Sequence, residues 1–208
     1  MKIKYHYQVF LVWINLFLHN GIIVLVKIVR NIHVAIYVKM WDTLAPNYQI
    51  YYDMFEGRGG SNMANVFDVA KYILEKHGNT TTMKLQKLCY YSQAWTLAWD
   101  DMPLFDEDFE AWANGPVCRQ LYNAHRGKFN ISSAMLENGD SSKLTFEQKE
   151  NINIVLNDYG DKEPYWLSGL THSEKPWIDA RKGCKDGDAC SNIITKESMH
   201  EYYSGLLK

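Results

Sequence analysis

The sequence has little of what marks several common classes of small protein. Its four cysteines, Cys89, Cys118, Cys184 and Cys190, do not form the paired CxxC spacings of a zinc site. Residues 63–208 are also too many for a small module held together mainly by disulfides, so we interpret all four as reduced thiols in a cytoplasm. A bridge between Cys184 and Cys190 is the alternative, because both lie in one polar loop.

Recognisable catalytic motifs are also missing. The chain contains no nucleophile motif, phosphate-binding loop or metal-ligand spacing. His172 and Glu174 could suggest an acid–base pair, but catalysis requires an oriented partner and a pocket, and nearness in sequence supplies neither. We therefore predict a protein that is not an enzyme and has no small-molecule substrate, cofactor or metal. A small hydrolase using His172 and Glu174 is the weaker alternative.

Basic charge is scarce in the larger part of the chain. Residues 1–62 carry six basic and three acidic residues, which leaves 16 basic and 21 acidic residues in 63–208, a net charge of −5. An acidic body repels a phosphate backbone and lacks the basic stripe that supplies most non-specific nucleic-acid affinity. Direct binding to nucleic acid is therefore disfavoured.

The first 62 residues differ in composition from the rest. Residues 9–29 are apolar enough to suggest a membrane span, but Asn15 and His19 interrupt the run at the depth where polar groups are costly. Lys27 stands where a signal peptide would be cleaved, which argues against a signal peptide. A membrane anchor is one alternative for this segment.

The other alternative is that the segment is not normally made. Residues 56–60, Glu-Gly-Arg-Gly-Gly, are what a purine-rich ribosome-binding stretch encodes, and Met63 follows at a suitable distance. We predict that translation begins at Met63 and that 63–208 folds alone as one domain. Intact-mass analysis of the native protein checks this, since abundant peptides from 1–62 or an insoluble 63–208 fragment would contradict it.

Apolar residues recur at helical spacing through most of 63–208. Helices are predicted over 65–77, 83–99, 116–126, 145–159, 166–170, 177–182 and after Thr195. The alternation from Phe105 to Ala113 predicts a short extended segment, and polar stretches at 127–144 and 183–192 predict loops. We expect a mainly α, compact multi-helix single domain with at most a small β element near 105–113.

The predicted helix at 83–99 begins with the string MKLQKLCYYSQAW. Leu85, Leu88 and Trp95 form part of its apolar stripe. Three polar residues should lie off this stripe: Lys84, Lys87 and Gln93. They form a solvated surface, a hydrogen-bond network or a binding face, and the sequence leaves these readings open.

The string at 83–95 is similar to the signature of the Panacea (SocA-like) antitoxin domain, in which a KLQKLLYY run precedes a small residue, Gln and an aromatic. Further blocks follow in the family's order: Pro103-Leu104-Phe105, Phe109-Glu110-Ala111-Trp112, Asn114-Gly115-Pro116-Val117, Leu170-Thr171-His172, Pro176-Trp177 and Ala180-Arg181. The resemblance covers essentially all of 63–208 and none of 1–62. Cys89 replaces the more usual Leu, which we expect to affect packing only.

This resemblance implies an antitoxin, encoded beside a toxin gene and often in a prophage, that neutralises its toxin by direct contact rather than by catalysis. The toxin-binding candidates are Lys84, Lys87, Tyr91, Gln93, Trp112, Gly115, Pro116, His172 and Trp177. Core packing is the alternative for each aromatic among them. A DNA-binding or regulatory phage-associated protein is the second hypothesis for the whole chain. We expect a cytoplasmic protein, or a membrane-anchored one if residues 9–29 are made and insert.

Overall fold

A computed structural model describes residues 64–207 of the 208-residue chain. Its helices are α1 Val66–His77, α2 Thr82–Asp100, α3 Arg119–His125, α4 Phe146–Tyr159, α5 Pro164–His172, α6 Lys175–Ala180 and α7 Lys196–Gly205. Its strands are β1 Thr80–Thr81, β2 Phe109–Trp112, β3 Gly115–Cys118, β4 Asn130–Ile131 and β5 Ile193–Ile194, with 3₁₀ turns at Ser133–Met135 and Ser141–Lys143. The predicted mainly α fold with a small β element is confirmed.

The membrane span suggested at 9–29, like the rest of 1–62, falls outside the described residues. Within 64–207, no helix combines the length and the apolar character needed to cross a bilayer.

Side-chain caps determine where four of the helices begin. The Asn65 side chain accepts a hydrogen bond from the backbone N–H of Asp68, and the Asp68 carboxylate accepts one from the Asn65 N–H in return. Thr81, Thr145 and Thr195 cap α2, α4 and α7 through their hydroxyl oxygens. Each such cap stabilises a helix by ~1 kcal/mol. The predicted starts of these helices are therefore confirmed to within a residue or two.

Helix α2 is the centre of the domain. Every residue from Leu85 to Ala98 is buried, including residues on all sides of the helix. Helices α1, α4, α5 and α7 and strand β3 pack around it. A helix enclosed in this way cannot keep a polar face in water, so its polar side chains must find hydrogen-bond partners inside the protein.

The sheet beside α2 corrects one of the predicted helices. Its strand order is β3-β2-β5, with both pairings antiparallel, and Trp112 lies opposite Gly115. The predicted helix start at Pro116 is wrong, because residues 115–118 form β3 and α3 begins at Arg119. Pro favours a first helical turn locally, but β2 needs a partner strand and the hairpin supplies it.

The cysteines also differ from the prediction in part. Cys184 and Cys190 form a disulfide, because the loop between α6 and β5 brings their Cα atoms within 6.1 Å. The interpretation of these two as reduced thiols is therefore wrong. Cys89 and Cys118 are free and buried.

Candidate partner-binding site

Two polar side chains of α2 bind the outer edge of the sheet. The Gln86 side chain accepts a hydrogen bond from the Cys118 N–H at 2.8 Å and donates one to the Cys118 carbonyl at 3.3 Å. Lys87 Nζ donates to the Pro116 carbonyl oxygen at 3.0 Å. Strand β3 is an edge strand, and an edge leaves backbone groups without a neighbouring strand. Gln86 and Lys87 satisfy these groups and fix the hairpin on α2.

Gln93 binds a different segment of the chain to the same helix. Its amide nitrogen donates to the Phe105 carbonyl at 2.8 Å, and its amide oxygen accepts from the Leu104 N–H at 2.8 Å and the Phe105 N–H at 3.2 Å. All of these groups are buried. Gln93 therefore holds the turn that follows α2 against the helix.

Lys87 and Gln93 do not lie on a solvated surface. Both are buried, and Lys87 is only 1% exposed. Of the three readings left open by the sequence, the hydrogen-bond network is the one found. Lys84, on the first turns of α2, is half-buried.

The Pro176-Trp177 and Ala180-Arg181 blocks hold the other side of the hairpin. Trp177 Nε1 donates to the Trp112 carbonyl at 3.0 Å, and the indole stacks on His172 with ring centroids 4.0 Å apart. The buried Arg181 donates from Nη1 to the Ala111 carbonyl at 2.8 Å. Nη2 donates to two further carbonyl oxygens, so carbonyl groups rather than Glu174 or Asp179 bind this guanidinium.

Glu174 and His172 lie in different surroundings. The Glu174 carboxyl accepts hydrogen bonds from the Tyr203 hydroxyl at 2.7 Å and the Tyr91 hydroxyl at 3.2 Å. Burial raises the pKa of Glu174 to about 7, and burial together with the nearby Lys87 lowers the pKa of His172. Because Glu174 is held by tyrosines and His172 by a tryptophan ring, neither orients the other as an acid–base pair requires.

A pocket of about 740 Å³ opens where α2, the β2–β3 hairpin, α3 and the disulfide loop meet. We call it the Lys87 pocket. Its lining includes Gln86, Lys87, Trp112, Arg119, Tyr122 and His125, and Gly187, Ala189, Cys190 and Ser191 form the loop wall. Its volume lies in the range of typical ligand and partner clefts, ~300–1,000 Å³. Two of the candidates predicted from the sequence, Lys87 on α2 and Trp112 on the hairpin, line this pocket.

Residues 85–178 match the family model described as antitoxin SocA-like, Panacea domain. This part of the chain is therefore similar to the Panacea domain. The match runs from the α2 motif to the Pro176-Trp177 block and includes the hairpin and α3. No curated protein and no solved structure shows a significant match to the chain.

The nine candidates predicted from the sequence fall into two groups by burial. Five are buried: Lys87, Tyr91, Gln93, Gly115 and Pro116. Four are half-buried: Lys84, Trp112, His172 and Trp177. Lys87 and Trp112 line the Lys87 pocket, whereas Tyr91 and Gln93 contact other parts of the core. Their roles in toxin binding stay predictions.

Several side chains that line the Lys87 pocket were not among the candidates predicted from the sequence. Gln86 belongs to the α2 motif and lies between Lys84 and Lys87 in the sequence, and this position among polar candidates could have marked it as one of them. Arg119 binds Glu110 through Nε and Nη2, and its Cζ lies 5.4 Å from the centroid of the Trp112 ring. No pattern in the sequence predicts this contact, because it forms only when the hairpin brings β2 beside the residues that follow β3.

Replacing Glu174 with Gln is expected to change how the free energy of unfolding depends on pH. The folded protein keeps the Glu174 proton up to a pKa of about 7, whereas an ordinary carboxyl loses it near 4.5. The stability that this proton contributes is fully present below the unfolded pKa and is lost as pH rises through the folded pKa. Between pH 4.5 and about 7, wild type should therefore lose free energy of unfolding relative to Glu174→Gln. Denaturant titrations across that range check this, and a constant difference would contradict it.

Proposed function

We propose that this protein is the antitoxin of a type II toxin–antitoxin pair, and that it neutralises a protein toxin encoded by an adjacent gene by binding it. The observation that supports the proposal is the match of residues 85–178 to an antitoxin family. The matched region contains α2, the hairpin and α3, which form most of the walls of the Lys87 pocket.

The local geometry is suited to binding. Gln86, Lys87 and Gln93 use their hydrogen bonds to fix backbone segments against α2. The surface around the pocket is therefore ordered before a partner arrives. Pre-ordering lowers the entropy that association costs, which favours tight recognition.

Co-expression of the full chain with the toxic product of an adjacent gene is expected to restore bacterial growth, and the two proteins should elute together from a sizing column. Trp112→Ala should abolish rescue, because the ring is half-buried in the pocket wall and an aromatic anchor can carry ~2 kcal/mol or more of binding. Growth curves and complex recovery are the measurements.

Phe146→Ala is the matched control for this experiment. Phe146 is an aromatic residue on α4 that is 74% exposed and does not line the pocket. Its loss should leave rescue intact, and the melting temperature of each variant separates lost binding from lost folding. Rescue without a complex would contradict neutralisation by binding. Failure of the intact chain to bind any product of its neighbouring genes would contradict the antitoxin assignment.

A further inference from the structure

The Lys87 pocket differs in charge from the body around it. Residues 63–208 have a net charge of −5, yet none of the described residues that line the pocket is acidic. Lys87, Arg119 and His125 are the basic residues among them. The Glu110 carboxylate binds Arg119 and Trp112 and offsets part of the charge of Arg119, but Lys87 has no ion-pair partner among the described residues, so the lining favours an anionic group over a cationic one.

Lys87 brings unused hydrogen-bonding capacity to this pocket. An ammonium group has three N–H donors, and within residues 64–207 the Pro116 carbonyl is the acceptor found for Nζ. No carboxylate of the described chain forms an ion pair with it, although the side chain is only 1% exposed. Burial disfavours the ammonium form and lowers the pKa of Lys87 to about 7, and an anion entering the pocket would favour the charged form.

Arg119 places a second cation at the rim. Its side chain is 49% exposed, and Glu110 holds the guanidinium through two hydrogen bonds. The Trp112 and Tyr122 rings, whose centroids are 4.8 Å apart, form an apolar wall beside Arg119. The rim therefore offers an oriented guanidinium next to aromatic surface, a combination that is common at the energetic centres of protein interfaces.

We propose that the Lys87 pocket receives an acidic side chain of the toxin, with the carboxylate directed toward Lys87 and Arg119 and the flanking residues packed on Trp112 and Tyr122. This proposal rests on the proposed function. A volume of about 740 Å³ exceeds that of one carboxyl group, so there is room for the neighbouring residues of a protein segment. Glu110 holds Nε and Nη2 of Arg119, so the incoming carboxylate would meet the remaining side of the guanidinium.

The test uses the complex with the toxic product of the adjacent gene, with affinity measured by calorimetry. Arg119→Glu should weaken binding by about tenfold or more, since like charges brought together across an interface are strongly unfavourable. Arg119→Gln should weaken it less. Arg126→Glu is the matched control, because Arg126 is an exposed arginine just after α3 that does not line the pocket. Both Arg119 variants remove the cation bound to Glu110, which is itself only 8% exposed, so their melting temperatures are expected to fall, and affinity is measured at a temperature where each variant is folded.

A charge exchange identifies the occupant. Each Asp and Glu of the toxin is replaced in turn with Lys, and one of these replacements should restore binding to Arg119→Glu while weakening binding to wild type. If no replacement restores it, or if Arg119→Glu and Arg126→Glu lose equal affinity, the assignment of the pocket is overturned. In that case wild-type rescue and binding would still support the proposed function. If wild type binds no neighbouring product, both proposals fail.

Inorganic phosphate and acetate test whether the pocket is a site for small anions. Under the proposal, neither should bind measurably at micromolar concentration or displace the toxin. Tight phosphate binding that Arg119→Glu abolishes, with toxin affinity unchanged, would instead show a small-anion site and overturn the assignment to a toxin side chain.

Discussion

Gly115→Ala is expected to lower the free energy of unfolding by about 2–4 kcal/mol, the sum of backbone strain and overpacking. Gly115 has a φ of +95°, a conformation that residues with a side chain rarely adopt. An added Cβ would lie 2.6 Å from Lys87 Cε and 2.7 Å from Thr171 Oγ1. Neither neighbour can retreat at low cost, because Lys87 is buried with Nζ bound to a carbonyl and Thr171 is fully buried. Denaturant unfolding of the full chain measures the loss.

Gly127→Ala separates the two causes. Gly127 also has a positive φ, +78°, but no described atom lies within 4 Å of the position its Cβ would take. This variant should therefore lose only the cost of the left-handed backbone, ~1–2 kcal/mol. Equal losses at both glycines would mean that the close approach of Lys87 to the hairpin contributes nothing.

Lys87→Glu is expected to destabilise the protein by ~3–5 kcal/mol, because it replaces a buried donor with a buried charge that has no partner. The Pro116 carbonyl would lose its hydrogen bond and would face a carboxylate instead. A lysine on a solvated helix face would tolerate this reversal, but the Lys87 side chain is buried. Thermal and denaturant unfolding of the purified variant are the measurements.

Lys87→Met is the matched variant, since it keeps the length of the side chain and removes the ammonium. Its expected cost is ~1–3 kcal/mol, the penalty for leaving one buried carbonyl without a donor. The order of stability should therefore be wild type, then Met, then Glu. A Glu variant as stable as wild type would place Lys87 at the surface and restore its reading as an exposed contact.

The elements that could be predicted from the sequence are those with strong local signals. Helices α1, α2, α4 and α7 combine apolar stripes with a capping side chain at the N-terminus, and both signals act within a few residues. Each of the four helices is found where the sequence placed it. The resemblance to the Panacea family also rested on local strings, and the family model matches residues 85–178.

What failed depends on contacts between distant segments. Gly115-Pro116 has the local form of a helix start, but pairing with Phe109–Trp112 makes it a strand. Lys87 and Gln93 were assigned to a polar face, yet α2 is enclosed on all sides, so its spacing could not show which side chains reach water. The Lys87 pocket lies between four such segments, and of its lining residues only Lys87 and Trp112 were named as candidates in advance.

The way in which α2 covers β3 limits how another chain can attach to the sheet. An open edge strand invites strand addition, in which a partner extends the sheet through backbone hydrogen bonds. Here Gln86 occupies both the N–H and the carbonyl of Cys118, and Lys87 occupies the carbonyl of Pro116, whose nitrogen carries no hydrogen. A toxin, or a second copy of this chain, could extend the sheet at β3 only by displacing the central helix. Association on this side must therefore use side chains, and the same cover protects this edge from pairing during aggregation.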